Sequence, residues 1–265
     1  MPTVVANGIS IYFERRGSGP PLLFFNGSGA TLESSGVLIW SFADRFDVVA
    51  HDQRGLGRTA VPDAPYAMAD YAADAAALLD HLGWARCRVI GVSFGGMIAQ
   101  EFAVTWPERI ERLALVCTSP GGVGGASYPL HELTTLSPDE RAAIGMRLTD
   151  TRFTADWLAT HPNDQAVVDF LASRYQAPKT AEQQRGEVAQ LEARRHHDTA
   201  ARLTAIRCPT LVACGRYDGI APLSNSEWIA AHIPGATLRV YEGGHVFFIQ
   251  DVSALPEISQ FLLAG

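Results

Sequence analysis

Three residues of this chain have the types and setting needed to activate a hydroxyl group: Ser93, Asp218 and His245. Ser93 is the centre of Gly91-Val92-Ser93-Phe94-Gly95, which follows the apolar run Cys87-Arg88-Val89-Ile90 and leads into the helix-forming run Gly96-Met97-Ile98-Ala99-Gln100-Glu101-Phe102-Ala103. A G-x-S-x-G turn between strand and helix bends sharply enough to project the serine hydroxyl above the sheet, and its glycines give the bend room. The helix that follows turns the positive end of its dipole toward the same serine. A serine hydroxyl is a weak nucleophile near neutral pH unless a base takes its proton, and an imidazole base needs a third group to fix its tautomer. His245, in Glu242-Gly243-Gly244-His245, and Asp218, in Gly215-Arg216-Tyr217-Asp218, each follow an apolar strand-like run and supply those two types. Plainer readings exist: a small turn residue for Ser93, an imidazole capping the last helix for His245, and a turn aspartate before Gly219 for Asp218. The other place for an acid, after the strand ending at Cys117, offers Thr118 and Ser119 but no carboxylate.

These residues need strands that end at one edge. Pro21-Leu22-Leu23-Phe24-Phe25 is a continuous apolar run of the kind a doubly covered parallel strand shows, and Gly8 to Glu14 alternates like an edge strand. The pattern then repeats, with strand at Phe46 to Ala50, amphipathic helix at Met68 to Leu82, strand at Arg88 to Gly91, helix at Gly95 to Thr105 and strand at Leu113 to Cys117. Such alternation predicts a mostly parallel central sheet flanked by helices on both faces. The rhythm breaks at Ser119-Pro120-Gly121-Gly122-Val123-Gly124-Gly125. From there to about Ala205 only helix signals occur: capping boxes at Ser137-Pro138-Asp139-Glu140 and Thr180-Ala181-Glu182-Gln183, a start at Asn163-Asp164, and a basic end at Arg194-Arg195-His196-His197, read as solvated charge. Phe153, Trp157, Phe170 and Tyr175 are expected to form the core of that segment or the roof of a pocket. Strand signals resume at Pro209 to Cys214 and Thr237 to Tyr241, around a helix near Ser224 to His232, and a last helix ends at Phe261-Leu262-Leu263. Strand ends after Cys214 and Tyr241 deliver Asp218 and His245 to the edge that carries Ser93.

Composition removes whole classes of function. A net charge of -7 argues against a broad nucleic-acid-binding face. Gly27-Ser28-Gly29 lacks the third glycine of a dinucleotide loop, Leu32 standing in its place, and adjacent His196 and His197 point about 100° apart on a helix, a poor metal pair. The four cysteines show no C-x-x-C spacing and read as buried thiols of a cytoplasmic protein; no secretory signal or bilayer-spanning run is evident.

The order Ser93, Asp218, His245 has further company. With Asp52-Gln53-Arg54-Gly55-Leu56-Gly57-Arg58-Thr59 and the strand entry Cys208-Pro209-Thr210-Leu211-Val212, the chain resembles the α/β-hydrolase superfamily over nearly all its length outside the helical segment. The resemblance implies an α/β-hydrolase fold with a core formed by residues 1–120 and 206–265 and an inserted helical cap, 121–205. It implies a catalytic triad of Ser93, Asp218 and His245, with the backbone amides of Phe94 and Ser28 as the oxyanion hole. Where relatives commonly carry His-Gly, this chain has Asn26-Gly27. A compact core with a four-helix insertion is most similar to enol-lactonases, carboxylesterases, carbon–carbon bond hydrolases and cofactor-free perhydrolases; the serine sets it apart from haloalkane dehalogenases and epoxide hydrolases. The expectation is a serine hydrolase that cleaves a small carboxylic ester or lactone through an acyl-enzyme on Ser93, with no cofactor and no metal. Its alternatives are carbon–carbon cleavage or perhydrolysis by the same triad, and a non-catalytic small-molecule receptor. The expected partner is a small-molecule substrate, not nucleic acid or membrane; a homodimer is allowed, the sequence being silent on oligomeric state.

Overall fold

The computed structural model describes residues 3–176 and 179–264, apart from the side chains of Pro138, Phe170, Ser173, Arg174, Tyr175 and Gln176. The aromatic roof expected from Phe170 and Tyr175 therefore lies outside the described residues.

Eight strands form one sheet in the order β1-β2-β4-β3-β5-β6-β7-β8: β1 (Thr3–Ala6), β2 (Ile9–Arg16), β3 (Pro21–Phe25), β4 (Asp47–His51), β5 (Cys87–Val92), β6 (Ile110–Val116), β7 (Thr210–Gly215) and β8 (Thr237–Tyr241). β2 runs antiparallel to both neighbours, and every other pairing from β4 to β8 is parallel. The expected edge strand around Gly8 to Glu14 is corrected to a second strand: Thr3–Ala6 pairs along its outer side and takes the edge. β3 is apolar throughout because both its faces are covered. Leu22 and Phe24 join one buried layer while Leu23 and Phe25 join the other, as period-two alternation requires.

The helices that cover the faces are α1 (Leu32–Trp40), α2 (Met68–Leu82) and α3 (Phe94–Thr105) before the insertion. After β6 come α4 (Pro138–Thr149), α5 (Ala155–Thr160), α6 (Pro162–Gln176) and α7 (Ala181–Arg195), and after β7 come α8 (Leu223–His232), α9 (Phe247–Gln250) and α10 (Ala254–Leu263). α2 and α3 bury Leu78, Leu79, Met97 and Phe102 on one face, and Ile258 and Leu262 of α10 cover the other with Ile39 of α1. Both capping boxes form: Ser137 accepts from the amide of Glu140 and starts α4, and Thr180 accepts from that of Gln183 and starts α7.

Between β6 and β7 the described residues contain helices, 3-10 turns and one isolated bridge, Gly121 to Asp198, where the segment's two ends meet. The expected solvated basic end of α7 is half corrected. His196 is exposed and pairs with Glu192, but Arg194 and His197 are 5% exposed, turned inward against the core. Burial drives the His197 imidazole down to about 3, so it is held neutral. All four cysteines are free and buried. No helix among the described residues is long and apolar enough to cross a membrane.

Candidate active site

β5 ends at Val92, and the chain turns so tightly into α3 that Ser93 adopts φ 57° and ψ -115°. That left-handed conformation costs a β-carbon-bearing residue about 1–3 kcal/mol, and its surroundings hold it there. The Ser93 amide donates to Val116 O at 2.8 Å, and the Thr118 hydroxyl donates to Ser93 O at 2.8 Å. The flanking glycines are required by close approach: a β-carbon at Gly91 would lie 2.3 Å from Gly95 O, and one at Gly95 would lie 2.2 Å from Phe25 O. The bend is thus wedged between β3 and β6.

The loops after β7 and β8 bring the two other predicted residues to this serine. Asp218 Oδ2 lies 2.8 Å from His245 Nδ1, and His245 Nε2 lies 3.0 Å from Ser93 Oγ. The carboxylate side chain is fully buried, and its second oxygen accepts from the amides of Ile220 and Ala221, each at 2.8 Å. An acceptor-only carboxylate at Nδ1 keeps the proton on that nitrogen, which leaves Nε2 a lone pair for the serine proton.

Of the two amides expected to bind an oxyanion, that of Phe94 directly follows the serine and that of Ser28 belongs to a turn that passes close to it. Phe94 is the first residue of α3, so its N–H has no intrahelical acceptor. The turn after β3 passes close by, a β-carbon at Gly27 lying 3.7 Å from that of Ser93. Among the described residues neither the Phe94 nor the Ser28 amide finds an acceptor.

Several residues that hold these parts carry no catalytic signature in the sequence. Gln190, on α7, accepts from the Gly29 amide at 2.7 Å and donates to Gln53 Oε1 at 2.8 Å; Gln53 in turn donates to Asn26 O at 2.8 Å. The end of α4 reaches the acid and base loops, with Leu148 O accepting from the Gly219 amide and Thr149 O from the His245 amide. Gln250 accepts from the Gly244 amide at 2.8 Å and donates to Asp150 and Asp164 at 3.1 Å each. The motif from Asp52 to Thr59 builds the wall: Asp52 accepts from the Leu32 and Arg58 amides, and Arg54 grips Asp74 with two bonds of 2.8 and 2.7 Å. Burial raises Asp52 above the ordinary carboxylate range. A cavity of about 430 Å³ opens beside the Asn26–Gly29 turn, between Ser28 and Gly29 on one side and Leu130, Leu133, Arg141 and Gln190 on the other.

A parallel sheet with β2 reversed, a serine bend after β5, and acid and base after β7 and β8 make a specific combination. The pattern of the alpha/beta hydrolase fold matches residues 20–252. The chain belongs to the α/β-hydrolase fold family. It is 32% identical over 252 residues to a poly(3-hydroxyalkanoate) depolymerase of Ectopseudomonas oleovorans, an alignment covering 91% of this chain and 84% of that protein. It is 27% identical over 254 residues to 3-oxoadipate enol-lactonase 2 of Acinetobacter baylyi, covering 95% and 92% respectively. The crystal structure of the enol-lactonase from Burkholderia xenovorans LB400 shares the fold with a TM-score of 0.82 at 24% identity, across 99% of this chain and 100% of that one. This α/β-hydrolase is accordingly an enzyme of the hydrolase class. Among the described residues no group of three or more His, Cys, Asp or Glu could hold a metal ion.

Proposed function

We propose that the protein cleaves a small carboxylic ester or lactone through an acyl-enzyme on Ser93. The observation that carries this reading is the unbroken relay from Asp218 through His245 to the Ser93 hydroxyl, with bonds of 2.8 and 3.0 Å. Ser93 Oγ adds to the carbonyl carbon as its proton passes to His245 Nε2, and the carbonyl oxygen takes up the negative charge between the Ser28 and Phe94 amides. The tetrahedral intermediate collapses as the imidazolium returns that proton to the leaving oxygen. For an ester this releases an alcohol; for a lactone the hydroxyl stays tethered to the acyl group. Water, deprotonated by His245, then adds to the acyl carbon, and collapse frees the acid and restores Ser93. The names of the two relatives, a poly(3-hydroxyalkanoate) depolymerase and an enol-lactonase, support an ester-type carbonyl as the target.

Ser93→Ala is expected to keep the wild-type melting temperature while losing ester and lactone turnover and labelling by a fluorophosphonate. Full turnover by that variant would overturn the assignment. Turnover of a vinylogous diketone with none of p-nitrophenyl esters or lactones would instead move the reaction to carbon–carbon cleavage by the same triad.

A further inference from the structure

The Asn26–Gly29 turn, which carries the Ser28 amide, is tied at both ends by a chain of two glutamines. It begins at the Gly29 N–H, which donates to Gln190, passes from the Gln190 amide nitrogen to Gln53 Oε1, and ends where Gln53 donates to Asn26 O. Gln53 and Gln190 are 0% and 1% exposed. The chain has one direction only. A backbone donor stands at one end and a backbone acceptor at the other, so turning either side-chain amide around would set donor against donor or acceptor against acceptor. The same backbone groups fix both glutamines and, through them, the spacing of the turn.

The second support is the seating of α7. A β-carbon at Gly186 would lie 1.9 Å from Gly55 O, and Gly55 itself has a left-handed φ of 83°. α7 therefore lies backbone to backbone on the loop that carries Gln53. Gln190 follows Gly186 by four residues, one turn along the same face, which points its side chain at Gln53 and the turn.

We propose that Gln190 is a positioning residue for the oxyanion hole: with Gln53 it clamps the Asn26–Gly29 turn, so the seating of α7 sets where the Ser28 amide points. The proposal rests on the reading of Ser28 as an oxyanion donor. Such a donor contributes only if it meets the oxygen of the tetrahedral intermediate, and a displacement well under 1 Å weakens it. Loosening the clamp costs transition-state stabilisation while the rest of the cavity lining, Leu56, Leu130 and Leu133 among it, stays in place.

The test compares wild-type enzyme with Gln190→Leu, Gln190→Glu and Gln53→Leu on a p-nitrophenyl ester. Expected for Gln190→Leu is a kcat about 10- to 100-fold lower, a fraction of the loss from deleting a donor outright, with KM within about threefold of wild type. Inhibition by a boronic acid, whose adduct on Ser93 places an oxygen in the hole, should weaken by the same factor as kcat. Gln190→Glu keeps the acceptor for Gly29 but not the donor for Gln53, and should fall between wild type and Gln190→Leu. The double variant with Gln53→Leu should lose no more than the worse single variant. A melting temperature lowered in Gln190→Leu with kcat and boronate affinity unchanged would reduce the chain to a structural role and overturn the proposal. So would a Gly29 amide that exchanges with solvent as fast in wild type as in Gln190→Leu. Wild-type enzyme that turns over no ester or lactone overturns the ester or lactone reading and, with it, the clamp as an aid to that reaction, whereas wild-type turnover matched by Gln190→Leu overturns the clamp alone.

Discussion

Ser93 is held by the sheet, through Val116 O, Thr118 and glycines pressed against β3 and α3, whereas the groups that serve it lean on the helices between β6 and β7. The loops of Asp218 and His245 meet carbonyls at the end of α4, and the Asn26–Gly29 turn meets Gln190 of α7. The last carbonyls of any helix lack intrahelical partners, and here two of them are satisfied by the amides of Gly219 and His245. On the proposed reading, a nucleophile fixed by the core is correctly bent whether or not the groups around it are in register, so its reactivity depends on how the helical segment sits.

Gly95→Ala should break the core side with the largest effect. A β-carbon 2.2 Å from Phe25 O has only backbone to displace, so a loss of about 3 kcal/mol or more is expected, seen as a lower denaturation midpoint together with lost activity. Gly244→Ala breaks the other side, its β-carbon lying 2.0 Å from Thr149 O. There kcat should fall about 100-fold through a displaced His245, with a smaller stability loss than in Gly95→Ala. Equal stability losses in the two variants would erase the distinction. Gln250→Leu, which removes the brace between the Gly244 amide and Asp150 and Asp164, should lower kcat by about tenfold and leave fluorophosphonate labelling slower but complete.

Acid destabilisation builds up gradually with pH, and it sharpens the same contrast because one buried histidine lies in each region. Burial brings His51 of β4 down to about 4 and His197, beyond α7, down to about 3. Each is neutral when folded and takes up a proton near pH 6.5 when unfolded, so below that pH the unfolded state holds more protons. Stability contributed by each is complete above pH 6.5 and falls by about 1.4 kcal/mol per pH unit as the pH drops toward the folded value. Unfolding free energies between pH 6.5 and pH 4 should fall with the sum of the two slopes, and His197→Leu should roughly halve that sum.

The core side was the part written plainly in the sequence. Continuous apolar runs such as Pro21–Phe25 and Thr210–Gly215 can serve only as strands covered on both faces, and the glycines of the serine bend mark a turn with no space for side chains. Asp218 was legible because it follows such a run, and His245 because it follows the strand pattern of Thr237–Tyr241. α1 gave no signal of its own, since Ser34, Ser35 and Gly36 are weak helix formers, and it starts where Thr31 and Ser34 cap it reciprocally. Thr3–Ala6 is too short to announce itself and becomes a strand only by pairing with β2. Gln190 and Gln250 give no local signal, because their partners lie far away in sequence. Gln53 sat within a recognised motif without a role until its amide was seen to reach Asn26. The inward turn of Arg194 and His197 was missed because charge at a helix end is ordinarily solvated.

The bridge between Gly121 and Asp198 gives the molecule a single doorway. Chain passing through it can lengthen, shorten or change composition without any strand acquiring a new neighbour, and the entropy of closing a longer excursion grows only with the logarithm of its length. Whatever its length, such an excursion must still present an amide to Gly29 and carbonyls to Gly219 and His245 to keep the hydrogen bonds seen here.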